Sequence, residues 1–133
     1  MERPWVPKKG RYRNMFHNAL FIGWGAPVRG REQAATKVFG EWVEMLGTWK
    51  AKGSIESFTP VFLTPRGGEL GGFFLITGNP AKLSELESGE EIRRATARAD
   101  LIVERFGVVT AITGDEVGKQ MALFSAMSAE LAK

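Results

Sequence analysis

The chain has no cysteine and a single histidine, His17, among its 133 residues. Without cysteine it cannot form a disulfide, a thiol nucleophile or a thiolate metal site. One histidine is also too few for the usual zinc ligand sets. We therefore expect neither a metal ion nor a cofactor.

Long apolar runs are also missing from this sequence. None approaches the roughly 18 residues of a membrane-spanning helix. The stretch MERPWVPKKGRYRN (1–14) is basic, but no apolar segment of the signal-peptide type follows it. Together with the lack of cysteine, this pattern predicts a cytoplasmic protein without membrane attachment.

The net charge of +3 is unevenly distributed along the chain. Residues 1–14 hold five basic side chains against one acidic, whereas the other 119 residues hold 13 basic against 14 acidic. The positive excess therefore lies in a proline-containing terminus, and the body of the protein is nearly neutral. We interpret residues 1–15 as a flexible basic arm and residues 16–133 as a single domain. Nucleic-acid binding through the arm, by counterion release, is the less favoured alternative.

Hydrophobic periodicity predicts the order β-α-β-β-α-β followed by a C-terminal helix. Pro60 indicates that the second strand lies at a sheet edge or contains a bulge, because proline cannot donate a ladder hydrogen bond. Ser88 and Glu91 have capping-box spacing, and Asp115 is predicted to cap the last helix. The predicted strands cover 17–24, 54–65, 73–77 and 106–113; the predicted helices cover 31–53, a short segment after Asn79, 88–103 and 115–131.

This order is that of the ferredoxin-like α+β sandwich, a four-stranded antiparallel sheet with strand order 4-1-3-2 and its main helices on one face. The strands are apolar on both faces: Phe73 and Leu75 alternate with Phe74 and Ile76. A sheet face in contact with water should instead be polar. We therefore expect a homodimer in which two sheets pack face to face as an α+β barrel, with the C-terminal helix closing one end or exchanging between subunits.

The chain resembles the dimeric α+β-barrel superfamily of the ferredoxin-like fold, and it looks most like the uncharacterised YCII-like members. The resemblance spans roughly residues 16–113 and rests on element order and on LFIGWG, GREQAATKVFGEW, GSIESF, GGFFLITGNPAKL and FGVVTAITG. It implies a barrel able to host small-molecule chemistry, as in cofactor-free monooxygenases and muconolactone isomerases. YCII-like proteins are suspected to use a His/Asp pair. His17 matches the histidine, whereas no aspartate stands at a matching early position.

The stretch FIGWGAPVRGRE (21–32) has the composition of a phosphate-binding loop without its spacing. Val28 stands where a dinucleotide fingerprint needs its third glycine, and there is no G-K-[ST] sequence. Two interpretations stay open. One is a turn whose Gly30 caps the following helix. The other is an anion site at the helix N-terminus, flanked by Arg29 and Arg31.

In the expected topology the end of the first strand and the hairpin between the second and third strands share one sheet edge. Trp24, Arg29, Arg31 and Arg66 would then line one mouth of the barrel. Arginines beside an aromatic wall suit a carboxylate or phosphate on a flat apolar ligand. These four residues are the predicted ligand-binding set, whereas the later tryptophans of the first helix are assigned to the core.

The opposite sheet edge carries the only acid–base candidates. His17 begins the first strand and Asp115 follows the fourth, so a His–Asp pair with a general base is one interpretation. A surface histidine beside a helix-capping aspartate is the other. We therefore expect a small-molecule-binding protein, either a cofactor-free enzyme of the monooxygenase or isomerase kind acting on a small anionic or aromatic metabolite, or, alternatively, a non-catalytic dimeric regulatory or structural module.

Overall fold

The computed structural model describes residues 17–132 and contains the predicted order of elements. The basic segment predicted to be a flexible arm lies outside the described residues. The strands are β1 (Ala19–Trp24), β2 (Ser57–Phe62), β3 (Gly72–Thr77) and β4 (Gly107–Ala111), and the helices are α1 (Glu32–Ala51), α2 (Pro80–Ser88), α3 (Glu90–Asp100) and α4 (Asp115–Leu131).

The four strands form one antiparallel sheet in the order β2-β3-β1-β4. This is the predicted 4-1-3-2 order. The protein is thus α+β, with a topology compatible with the ferredoxin-like fold. Pro60 lies in β2, at the edge of the sheet, where its missing N–H leaves no inner ladder unpaired.

The core lies between one face of the sheet and helices α1 to α3. Every second strand residue points to this face, and the helix residues that meet it recur at spacings of three and four. Burying each of these large apolar side chains contributes roughly 1.5–3 kcal/mol. The fully buried members of the core are Leu20, Ile22, Leu46, Phe74, Ile76 and Leu83.

The observed helix caps agree only in part with those predicted from the sequence. Asn79 caps α2 as predicted, because its Oδ1 accepts from the backbone N–H groups of residues 81 and 82. The prediction that Ser88 caps the next helix is wrong: Gly89 is the N-cap, and the Ser88 hydroxyl donates to the carbonyl of Ser84. Asp115 lies in the first turn of α4, whose N-cap is Gly114. In both cases the chain turns one residue away from the expected cap.

The second face of the sheet carries apolar side chains, and no helix of residues 17–132 packs over it. Phe21 and Phe73 stack there, with ring centroids 4.8 Å apart. Leu75 is half-buried and Val109 is 54% exposed. No side chain of α4 is buried. We call this face the open face; its apolar patch is formed by Phe21, Phe73, Leu75 and Val109, and the register also places Thr59 and Thr77 on this side.

Candidate functional site

A cavity of about 660 Å³ lies on the helix side of the sheet, between α1 and the ends of β1 and β2. Its volume is within the range of small-molecule sites, which is about 300–1,000 Å³. The loop after β1 and the segment between α3 and β4 complete its wall. The aromatic residues of the lining are Trp24, Phe39, Trp42, Phe62, Phe74 and Phe106.

These six rings form one continuous cluster. Phe39 and Phe74 stack with centroids 5.3 Å apart, and Trp24 lies 5.0 Å from Phe74. Phe62 closes the outer side, 5.1 Å from Phe39. Such distances are typical of attractive aromatic pairs. The cavity therefore offers flat π surfaces in fixed orientations to a ligand.

The indole of Trp42 joins the cavity to the core. Its Nε1 donates to the carbonyl of Ala95 in α3, at 3.2 Å, and its ring centroid lies 5.7 Å from that of Phe106. Because the only polar atom of the indole is already bonded, the ring presents an apolar surface to the cavity. Trp42 was predicted from the sequence to be a core residue alone, yet it both packs in the core and lines the cavity.

Backbone hydrogen bonds hold the wall of the cavity in place. The N–H of Gly25 donates to the carbonyl of Glu104, and the N–H of Glu104 donates to the carbonyl of Ala26. A Cβ at Gly25 would lie 2.9 Å from the carbonyl oxygen of Glu69 and 3.0 Å from that of Glu104. Glycine is thus required for two other chain segments to approach this loop.

Trp24 is fixed by a second glycine. A Cβ at Gly72 would lie 2.8 Å from Cζ2 of the Trp24 ring, and the N–H of Gly71 donates to the Trp24 carbonyl. The indole therefore lies directly over bare backbone of β3. These glycines allow close packing beside the cavity, which favours the turn interpretation of FIGWGAPVRGRE. The helix cap expected in that interpretation is wrong, because Arg31 and not Gly30 is the N-cap of α1.

Charge is scarce in the cavity wall. Among the described residues of the lining, Glu32 in the first turn of α1 is the one that is ionisable, and Thr36 lies one turn further along. A general acid–base pair needs two groups within hydrogen-bond reach of the reacting atoms. The wall is thus built for apolar contact, with a carboxylate near one end.

The predicted arginines are not part of this lining. Arg29 and Arg31 are exposed in the loop and at the N-cap of α1, and Arg66 is exposed in the hairpin between β2 and β3. The Arg66 guanidinium extends over Gly68. Of the predicted set, only Trp24 lines the cavity. An anionic group bound by these arginines stays a prediction.

His17 pairs with Glu87 and not with the predicted Asp115. Nε2 of His17 lies 2.8 Å from Oε2 of Glu87, and the histidine is only 5% exposed. Because an ionised carboxylate can only accept, Nε2 is the donor. Asp115 is exposed at the start of α4. The buried pair ties the beginning of β1 to α2, about 23 Å along the strand from Trp24 at 3.3 Å per residue.

The part of the chain that the structure describes has no cluster of metal-ligating side chains. Nor do these residues include a helix of the length and apolarity that a membrane crossing requires.

Sequence reasoning missed Phe39, Phe62 and Phe106 as cavity residues. Each falls on an apolar stripe or at a strand end. Periodicity predicts that such residues are buried, but it does not indicate whether the packed elements leave a cavity between them. The signal that could have indicated them was composition, because nine phenylalanines against one tyrosine supply many rings without a polar group.

No family model, curated protein or solved structure matches the chain. The resemblance to the dimeric α+β-barrel superfamily therefore rests on element order and sequence stretches alone, and it stays a prediction.

Proposed function

We propose that this protein binds a small, largely apolar molecule with an aromatic or otherwise flat ring system in the cavity between α1 and the sheet. The observation that carries the proposal is the six-ring aromatic wall around about 660 Å³ of open space. A folded core normally fills such space, because its packing density matches that of organic crystals.

Binding is favoured over catalysis by the composition of the wall. Within residues 17–132, Glu32 is the single ionisable residue of the wall, and the His17–Glu87 pair lies at the far end of β1. A cofactor-free enzyme acting on an aromatic metabolite stays an alternative, with Glu32 as its acid–base group. The dimeric regulatory or structural module is supported by the open face and by the unburied α4, and it is compatible with ligand binding.

A neutral aromatic dye, N-phenyl-1-naphthylamine, tests the proposal. We expect saturable binding with quenching of tryptophan emission, since Trp24 and Trp42 line the cavity. Ala35→Phe adds a ring inside the cavity and should weaken binding at least tenfold. Ala51→Phe, at the exposed end of the same helix, is the matched control and should bind like the parent.

The open face also offers apolar surface to a dye, so Leu75→Gln is measured in parallel. If Leu75→Gln abolishes dye binding and Ala35→Phe leaves it unchanged, the cavity is not the site and the proposal fails. Native mass spectrometry of the freshly purified chain adds a direct readout, since a retained ligand would appear as a reproducible added mass.

The anionic part of the expected ligand is tested with a sulfonated dye, 1-anilinonaphthalene-8-sulfonate. If Arg31 contributes to an anion site at the mouth, Arg31→Ala should weaken binding of the sulfonate about tenfold and leave the neutral dye unaffected, because a charge-assisted hydrogen bond contributes roughly 1.5–3 kcal/mol. Glu32→Gln should strengthen binding of the sulfonated dye, because it removes a carboxylate that would repel the sulfonate. If the parent, Arg31→Ala and Glu32→Gln bind the sulfonated dye with equal affinity, Arg31 does not contribute to the site.

We further propose that the protein associates with itself through the open face. Phe21, Phe73, Leu75 and Val109 form an apolar surface there, and an antiparallel sheet in contact with water would be polar on that side.

A further inference from the structure

We infer that α4 of one copy packs on the open face of a second copy, so that the two chains exchange their C-terminal helices. This inference rests on the proposed self-association and specifies the element that covers the face. It is independent of ligand binding, because the cavity lies on the other side of the sheet.

The first observation is that α4 is an amphipathic helix whose apolar side is exposed in the part of the chain that the structure describes. Met121 is 63% exposed, Phe124 68% and Leu131 84%, and no α4 side chain is buried. Helices in proteins are stabilised mainly by packing of an apolar face rather than by intrinsic propensity. The helix therefore needs a surface to pack on.

The spacing of the apolar residues defines one side of α4. Val117, Met121, Phe124 and Leu131 are separated by four, three and seven residues, so they form a straight stripe along the helix. Ala126 lies about 180° around the helix from the centre of that stripe at 100° per residue. The 17 residues of α4 give a length of about 25 Å, enough to cross a sheet of this size.

The second observation concerns the connection between β4 and α4. Gly114 adopts φ 63° and ψ −137°, a backbone conformation that is essentially restricted to glycine. The helix that follows contacts neither face of its own sheet closely enough to bury a side chain. The short connection thus directs α4 away from the chain that carries it, as in proteins that exchange a terminal element.

An exchanged dimer would cover two apolar surfaces of each chain, whereas a standard interface takes about 800 Å² from each partner. Each chain contributes both the exposed apolar side chains of its α4 and the apolar patch of its open face. The α4 side chains concerned are Val117, Met121, Leu123, Phe124, Met127 and Leu131.

Charge favours a second copy over a lipid surface. The polar side of α4 carries Asp115, Glu116 and Glu130 against Lys119, which is paired with Glu116. Helices that lie on membranes are rich in lysine and arginine on that side. The open face itself carries no charged residue in its apolar patch. The weakly acidic helix would be repelled by an anionic bilayer, whereas the uncharged patch of the open face would not repel it.

The cysteine-free sequence allows a clean crosslinking test. Leu75→Cys puts a thiol on the open face, Met121→Cys puts one on the apolar stripe of α4, and Ala126→Cys puts one on the opposite side of that helix. The full-length single variants are mixed in equal amounts, allowed to exchange, and oxidised. We expect a disulfide-linked heterodimer from Leu75→Cys with Met121→Cys, at least tenfold more abundant than from Leu75→Cys with Ala126→Cys.

Four results would overturn the inference. A dominant link within Leu75→Cys alone would mean that two sheets face each other, so that dimerisation stands and helix exchange fails. A dominant link within Met121→Cys alone would mean that two α4 helices pair. An intramolecular disulfide in the double variant Leu75→Cys/Met121→Cys would place α4 on its own sheet. A monomer at all concentrations in light scattering would remove the dimer as well, while leaving dye binding in the cavity untouched.

Discussion

Single glycines decide whether the wall of the cavity can form. Gly25→Ala should lower the free energy of unfolding by about 1–3 kcal/mol, the usual cost of forcing atoms into a packed site, because two backbone carbonyls lie within about 3 Å of the new Cβ. Neither of them is the end of a flexible side chain. Urea unfolding followed by circular dichroism measures the change.

The matched control is Gly40→Ala. Gly40 is exposed in the interior of α1, and nothing lies within 4 Å of its Cβ position, so this change should stabilise the protein by about 0.5–1 kcal/mol through helix propensity. Equal effects of the two substitutions would show that close packing at Gly25 is not the reason for that glycine.

At the scale of elements, α1 and α3 are joined by a bidentate ion pair. Nε and Nη2 of Arg98 donate to the two carboxylate oxygens of Glu41 at 2.8 and 2.9 Å. The hydrogen bonds from Arg98 hold the pKa of Glu41 below its ordinary value of 4.5. A carboxyl with a depressed folded pKa stabilises the fold above its unfolded pKa, and this contribution is lost as the pH falls through the folded pKa.

Glu41→Gln should therefore be less stable than the parent near neutral pH, and the difference should shrink as the pH falls below 4.5, the ordinary value for this carboxyl. High salt should also shrink it, since the pair is exposed and therefore screened. Glu44→Gln, on an exposed position of the same helix, is the control. Thermal unfolding across pH measures both. A difference that does not vary with pH would mean that the ion pair is not its cause.

The sequence predicted the elements far better than the site that they enclose. The strands and the edge position of Pro60 follow from period-two apolarity and from the chemistry of proline, both of which are local, and the strand order follows from the β-α-β-β-α-β order of the elements. The cavity depends on how far α1 stands from Phe74 and Phe106, a distance that no local pattern encodes. The partner of His17 was missed for the same reason. Glu87 lies 70 residues away on α2, and such a long separation in sequence does not indicate that two residues are in contact.

At the scale of the whole molecule, helix exchange predicts that stability depends on protein concentration. Folding and association are then linked, so the midpoint of thermal unfolding should rise with total concentration. Phe124→Glu places a charge in the middle of the apolar stripe of α4. We expect it to abolish that dependence and to leave a monomer in light scattering, with the helices around the core intact by circular dichroism.

The matched control, Ala126→Glu, puts the same charge on the opposite side of α4 and should keep both the dimer and the concentration dependence. Because no α4 side chain is buried among the residues that the structure describes, and Phe124 is 68% exposed, Phe124→Glu removes no side chain from the core. Loss of stability in this variant must then come from lost association. If Phe124→Glu and the parent unfold at the same midpoint at every concentration, α4 does not stabilise a second copy of the chain.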